Sequence, residues 1–151
     1  MGIKANFTKD DVRSRFDAFL NKIEKKQIKY LHYLGEMCVI EARNNKGYKM
    51  DTGALISSTG YKVYVDGVAV LTNFQAKGDA GTYGIEAGSD LADKIGKETK
   101  GVALVVVAGM NYAAYVEARG YNVLSSAEHL AQRELPRMLE KLITDIKRAA
   151  E

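Results

Sequence analysis

The segment Tyr61-Lys62-Val63-Tyr64-Val65-Asp66-Gly67-Val68-Ala69-Val70-Leu71-Thr72 predicts a β-hairpin near the middle of the chain. Tyr61, Val63 and Val65 alternate with two other side chains, and β-branched residues resume after the Asp-Gly pair. Asp-Gly between alternating runs is a strong signal for a two-residue turn, because both positions tolerate a positive φ. Two antiparallel strands are therefore expected here.

A third strand is predicted downstream, over Gly101 to Gly109. Its continuous Val-Ala-Leu-Val-Val-Val run indicates a central strand covered on both faces. Between this strand and the hairpin, residues Gln75 to Lys100 are rich in Gly, Asp and Lys, with a possible short strand at Tyr83 to Ala87. We expect a long loop here, which usually signals either function or disorder.

A long helix is predicted at the N-terminal end of the chain. It begins near Thr8, whose hydroxyl can cap the amides ahead of Asp10 and Asp11. Asn44, Asn45 and Gly47 end it, because Asn and Gly tolerate the left-handed backbone of a C-terminal cap. Its apolar residues have the spacing of one helical face and are Val12, Phe16, Phe19, Leu20, Ile23, Tyr30, Leu31, Leu34, Met37, Cys38 and Ala42.

A second long helix is predicted at the C-terminal end. It starts at Ser125 or Ser126, where Ser125-x-x-Glu128 fits a capping box. Pro136 predicts a kink or a restart at Glu134 to Pro136, because proline removes a backbone donor. Together these elements predict one α+β domain over residues 1–151, with a small, mainly antiparallel sheet packed with a long N-terminal helix and a C-terminal helix.

Composition excludes several kinds of protein. The chain has 151 residues, a net charge of +3 and interspersed acidic and basic side chains, which is weak for gripping nucleic acid. Its longest apolar run, Val102 to Met110, is far shorter than a membrane span. A lone Cys38 excludes an internal disulfide, and His32 and His129 lie far apart in the chain. No metal site, no cofactor and no membrane partner are expected.

Catalytic patterns are also not recognised. Neither serine pair, Ser57-Ser58 or Ser125-Ser126, is recognised as a catalytic Ser-His arrangement, and the glycine-rich segments do not end in Gly-Lys-Ser/Thr. Asp51-Thr52-Gly53 matches the aspartic-protease triplet, but retroviral enzymes of that type are all-β dimers and this chain is predicted helical at both ends. The expectation is a protein that is not an enzyme.

Two short segments carry the functional prediction. Asn111-Tyr112-Ala113-Ala114-Tyr115-Val116-Glu117-Ala118-Arg119-Gly120 places two tyrosines three residues apart and closes on a glycine. Met50-Asp51-Thr52-Gly53-Ala54-Leu55-Ile56-Ser57-Ser58 is a polar turn followed by a short amphipathic stretch. Their order between the two helices resembles the phage tail-completion and head-tail joining proteins of lambda-like siphophages. Ala118-Arg119 intervene where that family commonly has an aromatic residue and then Gly after the Glu.

The resemblance implies a non-enzymatic virion protein that is assembled in the bacterial host cytoplasm. It would form a homo-oligomeric ring at the head-tail junction or tail end, as a tail terminator, completion or neck protein, with other neck, connector or tail-tube proteins as partners. The alternatives are a tail-tube or other neck subunit and, from another class, a small nucleic-acid-binding accessory protein. Sequence-specific nucleic-acid binding is not expected. The assembly and interface candidates are Asp51, Gly53, Leu55, Tyr112, Tyr115, Glu117, Arg119 and Tyr121.

The roles of the tyrosines and of Glu117 among these candidates are predicted as follows. The three tyrosines either contact other subunits, since aromatic residues are enriched at interfaces, or edge the domain's own core. Glu117 is predicted to be structural, through an ion pair or a backbone hydrogen bond between elements or subunits.

Overall fold

A computed structural model describes residues 1–4, 6 and 8–151 of the chain, and its architecture is α+β as predicted. A three-stranded sheet lies between the long first and last helices on one face and a shorter helix on the other. In chain order the elements are α1 (Lys9–Asn44), α2 (Ala54–Ser57), β1 (Thr59–Val65), β2 (Val68–Phe74), α3 (Gly81–Gly96), β3 (Val102–Ala108), α4 (Ala113–Ala118) and α5 (Ser125–Ala150).

The predicted hairpin is confirmed. β1 pairs antiparallel with β2, and Asp66 and Gly67 both have positive φ, as a primed two-residue turn requires. The pairing register shifts once, between Val63 and Tyr64. β3 pairs with the other side of β1, so the strand order is β2-β1-β3. The prediction that the strand at Gly101 to Gly109 is central is therefore wrong, because β1 takes both partners and leaves β3 at an edge.

Alternation along β1 directs its side chains into two different cores. Tyr61 and Val63 are buried against Val39 of α1, whereas Tyr64 is buried with Ala92 of α3. β3 follows the same pattern, and helices cover both of its faces as predicted. This two-sided cover explains the continuous apolar run of an edge strand, because each successive side chain enters one core or the other.

The two long helices pack against each other over much of their length. Thr8 and Asp11 form a reciprocal capping box that starts α1, which confirms the predicted N-terminus. α5 begins at Ser125 as expected. The capping box predicted from Ser125 and Glu128 is wrong, because the N-cap residue is Leu124, whose side chain makes no capping hydrogen bond. Of the kink or restart predicted at Glu134 to Pro136, the restart is wrong, because α5 runs through that segment as one helix.

The segment Gln75 to Lys100 corrects a larger prediction. Most of it is the helix α3, neither a long loop nor a strand at Tyr83 to Ala87. Glycines in such density predict irregular backbone, yet here they form much of the packed face of the helix. A Cβ at Gly88 would overlap the main-chain oxygen of Ser58, and a Cβ at Gly84 would overlap that of Ala54. Small residues here allow close approach of the helix, which sequence periodicity of large apolar residues does not reveal.

Within the described part of the chain, no helix is both long and apolar enough to cross a membrane.

Candidate assembly surface

The two short segments meet in the structure, although more than fifty residues separate them in the chain. The Asp51 to Gly53 turn leads into α2, and the second segment forms α4 directly after β3. Leu55 of α2 and Ala113 of α4 belong to one buried cluster, against which Val116 also packs. The fold thus places both segments at the end of the sheet where β1 begins and β3 ends.

A cleft of about 360 Å³ lies between the two segments. Asp51 and Tyr112 both line it. Burial raises the pKa of the Tyr112 hydroxyl, and the charges of Asp51 and Tyr83 raise it further. The residues that line the cleft are Tyr48, Lys49, Met50, Asp51, Thr52, Gly53, Ala54, Leu55, Ile56, Tyr112 and Val116.

The Asp51 to Gly53 turn is held in one conformation by the segment that precedes α3. Gly53 has φ +85°, and a Cβ there would overlap the carbonyl oxygen of Lys77. The carbonyl oxygen of Thr52 accepts a hydrogen bond from the amide of Ala80 at 3.0 Å. Ser57 exchanges hydrogen bonds with the main chain of Lys77, through its hydroxyl, at 2.8 and 3.1 Å. Glycine is needed at position 53 for both its left-handed backbone and its close approach.

Glu117 joins α4 to the start of α5. Its carboxylate accepts hydrogen bonds from the amides of Val123 at 2.7 Å, Leu124 at 3.0 Å and Ser125 at 2.6 Å, and from the Ser125 hydroxyl at 2.6 Å. Burial raises the pKa of this carboxyl group, but the hydrogen bonds from Ser125 and the three amides outweigh it and leave the pKa lowered. The predicted backbone hydrogen bond between elements is confirmed, and it replaces the capping box that α5 lacks.

Asn122 completes the α5 cap, and sequence reasoning missed it. Its side-chain oxygen accepts from the Ser126 amide at 3.0 Å, while its side-chain amide donates to the main-chain oxygen of Asn45 at 2.9 Å. The Gly47 amide donates to the Asn122 carbonyl oxygen at 2.9 Å. This residue therefore ties the end of α1 to the start of α5. Asparagine four residues before Ser126 is the available sequence signal, since Asn favours helix N-termini.

The tyrosines of the second segment are largely exposed. Tyr115 and Tyr121 are 63% and 52% exposed, and Tyr112 is 40% exposed on the rim of the cleft. The guanidinium of Arg119 lies 5.1 Å from the ring centre of Tyr115, a cation–π contact. Glu117 makes its hydrogen bonds to α5, so Arg119 and Tyr115 form a separate pair on the surface. None of the three rings belongs to a buried core cluster of the described residues, and their role at an interface stays a prediction.

Tyr83 is a further exposed aromatic residue on this surface. It lies in the first turn of α3, and its charge contributes to the raised pKa of Tyr112. Sequence reasoning did not single it out, because the segment was predicted to be a loop. We use the name tyrosine surface for Tyr83, Tyr112, Tyr115 and Tyr121.

The polar groups beside this surface serve the fold. Ser57 and Ser58 are buried, and their hydroxyls donate to the main-chain oxygens of Lys77 and Leu55. In the described residues, no three His, Cys, Asp or Glu side chains lie close enough to hold a metal ion. The Ser57 and Ser58 hydroxyls therefore hold the turn and α2 in place.

No family model, curated protein or solved structure matches the chain.

Proposed function

We propose that this chain is a non-enzymatic virion subunit that forms a ring at a phage head-tail junction or tail end, as a tail terminator, completion or neck protein. The observation that carries the proposal is the meeting of the two segments on which the family resemblance rests. Asp51, Gly53 and Leu55 lie beside Tyr112 and Val116 around one cleft. The fold brings these residues to one surface, although they are far apart in the sequence.

The chemistry of that surface supports contact with another protein chain. Tyr112 lines the cleft, whose backbone is held by buried hydrogen bonds and a left-handed glycine. The other three members of the tyrosine surface are also exposed. Tyrosine offers a large apolar ring and a polar hydroxyl at a low entropic cost of ordering, which explains its enrichment at interfaces. A surface that presents such rings on a hydrogen-bonded backbone is suited to repeated contacts between identical or related subunits.

The roles of the candidate residues divide into two groups. Gly53, Leu55 and Glu117 shape the surface from within, through the turn, the core cluster and the α5 cap. Asp51, Tyr112, Tyr115, Arg119 and Tyr121 would make the contacts to a neighbouring subunit or to another neck, connector or tail-tube protein.

A genetic experiment tests the proposal. Deleting the gene from the phage should leave filled heads and finished tails that do not join, or tails of abnormal length, as seen by negative-stain electron microscopy. Complementation with the wild-type chain should restore infectious particles. Complementation with the Tyr115→Ser variant should restore fewer infectious particles. Tyr115 is exposed, so its replacement should leave the fold intact. Normal infectious particles in the deletion strain would overturn the proposal.

A further inference from the structure

A second cleft, of about 540 Å³, lies between α1 and α5. It shares no lining residue with the cleft beside the tyrosine surface. Three cationic side chains line it, Lys29 of α1 and Arg137 and Lys141 of α5, and all three are exposed. We call it the basic cleft. Its volume lies within the range of about 300–1,000 Å³ that is usual for ligand sites.

Two carboxylates also line the basic cleft, and both are engaged within the protein. Glu36 accepts hydrogen bonds from the Tyr61 hydroxyl at 2.7 Å and from the side-chain amide of Asn73 at 2.6 Å. Glu134 pairs with two arginines of its own helix, at 3.3 and 3.8 Å. Neither carboxylate therefore neutralises a lysine of the cleft.

The two lysines are available to an external anion. Lys29 and Lys141 make no ion pair within the part of the chain that the structure describes. The Lys141 ammonium lies 5.9 Å from the ring centre of Tyr30, a cation–π contact that leaves its positive charge uncompensated. Lysine binds phosphate as a point charge, so these two side chains on neighbouring helices form a site for phosphate groups.

Positive charge is concentrated along this pair of helices. Residues 22–36 of α1 and 133–148 of α5 hold nine lysines and arginines and five acidic residues, a net charge of +4, whereas the whole chain has +3. The two stretches lie side by side, because the Tyr30 hydroxyl donates to Asp145 at 2.5 Å. Charge that is dispersed in the sequence is therefore gathered by the fold around the basic cleft.

Tyr33 gives the basic cleft an exposed aromatic wall. Its side chain lines the cleft and is 62% exposed. Lys22, Lys25 and Lys29 precede it at helical spacing and share its side of α1. Cations beside an exposed aromatic ring are the groups with which proteins bind single-stranded nucleic acid, because the charges hold phosphates and the ring stacks on a base.

We propose that the basic cleft binds single-stranded nucleic acid without sequence preference, with phosphates on Lys29 and Lys141 and a base stacked on Tyr33. A single strand offers a base and a phosphate together, whereas a duplex keeps its bases inside its own stack. An acidic peptide supplies charge but need not supply a flat ring for Tyr33. Phosphate contacts and stacking do not read sequence, so this binding differs from the sequence-specific recognition that is not expected of the chain.

The salt dependence of binding tests the two lysines. Fluorescence anisotropy of the full chain is measured with a labelled oligothymidylate of about 20 nucleotides, longer than the roughly 4–16 nucleotides that one single-strand-binding fold covers. Each phosphate neutralised on a single strand contributes about 0.7 to the slope of log affinity against log salt. Lys29→Gln/Lys141→Gln should therefore weaken binding at low salt and make the slope shallower by about 1.4.

The matched control is Lys94→Gln/Lys97→Gln, which removes the same charge from exposed positions at the end of α3, on the other face of the sheet. It should leave the slope unchanged. Equal effects of the two double variants, or no binding by the wild-type chain at low salt, would overturn the inference.

Tyr33 variants test the stacking. Tyr33→Ala should weaken binding of the oligothymidylate by about 5- to 150-fold at every salt concentration, the range for loss of one stacked base. Tyr33→Phe keeps the ring and should bind as the wild type does. Both variants should fold, since Tyr33 is exposed. Wild-type affinity in Tyr33→Ala, equal binding of polyglutamate, or tighter binding of a duplex of the same length would each refute single-strand binding in the cleft.

This inference does not depend on the proposed ring. Binding of the oligothymidylate by a chain that is missing from particles would support the basic cleft and remove the virion role. A ring in the particle formed by a chain that does not bind the oligothymidylate would do the reverse.

Discussion

Glu117→Gln should destabilise the fold by about 2–3 kcal/mol. The glutamine oxygen can keep the bonds that Oε1 accepts from Leu124 and Ser125, but its NH₂ group then faces the Val123 amide. Val123 is only 3% exposed, so that amide loses its partner, which costs about 1–3 kcal/mol. Loss of the negative charge at the N-terminus of α5 costs a further 0.3–1 kcal/mol, roughly.

The matched control is Glu128→Gln, which removes a carboxylate from the exposed first turn of the same helix. It should change stability by less than about 0.5 kcal/mol. Urea unfolding followed by circular dichroism measures both, and a melting temperature about 5–10 °C lower is expected for Glu117→Gln. Equal stability of the two variants would refute the capping role of Glu117.

The pH dependence gives an independent check of the same carboxylate. The pKa of Glu117 is lowered in the folded protein from its ordinary value of 4.5. Its stabilising contribution is therefore complete above the unfolded-state pKa and is lost as the pH falls through the folded-state pKa. The stability difference between wild type and Glu117→Gln should be constant near neutral pH and shrink below about pH 4.5. A difference that grows on acidification would contradict the assignment.

Four other changes test the fold that supports the surface. Asp93→Ala removes the partner 2.9 Å from the buried Lys62 ammonium and should cost about 1–2 kcal/mol in urea unfolding, a modest value because Asp93 is half exposed. Gly101→Ala, at a left-handed site with open space around it, should cost about 1 kcal/mol, and Gly53→Ala several times more because of its overlap with the main chain. Deleting residues 78–99 should abolish folding, because α3 covers one face of the sheet. A deletion variant that still unfolds in one cooperative thermal transition would contradict this. In the intact protein, limited proteolysis should not cleave within residues 81–96.

The hairpin and the two long helices were predictable because their signals are local. Alternating apolar side chains on both sides of Asp66-Gly67 identify the hairpin turn. Thr8 and Asp11, three residues apart, form the capping box that starts α1. α3 was missed because its packed face consists of glycine and alanine, whose burial depends on what approaches them. The position of β3 was misjudged for a related reason. Cover on both faces comes from helices distant in sequence, and a continuous apolar run does not distinguish an edge strand with such cover from a central one.

Sequence reasoning identifies most residues of the candidate surface. It does not indicate which of them the fold brings together. The structure brings Asp51 and Tyr112 to one cleft and gives Glu117 its structural role, whereas Arg119 pairs with the Tyr115 ring. Sequence reasoning does not single out Asn122 or Tyr83. Asn122 donates to Asn45, which is distant in the chain, and Tyr83 lies in a segment whose helix the sequence does not predict. Contacts between distant segments depend on topology, which no local pattern specifies.

Electron cryomicroscopy of the assembled phage particle tests the central claim most directly. With an affinity-tagged copy of this chain in the virion, we predict a single ring of density at the neck or at the tail end, with the tyrosine surface facing a neighbouring subunit. Affinity tags detected along the whole tail would instead identify the chain as a tail-tube subunit. Particles that are complete and infectious but contain none of this chain would contradict the account.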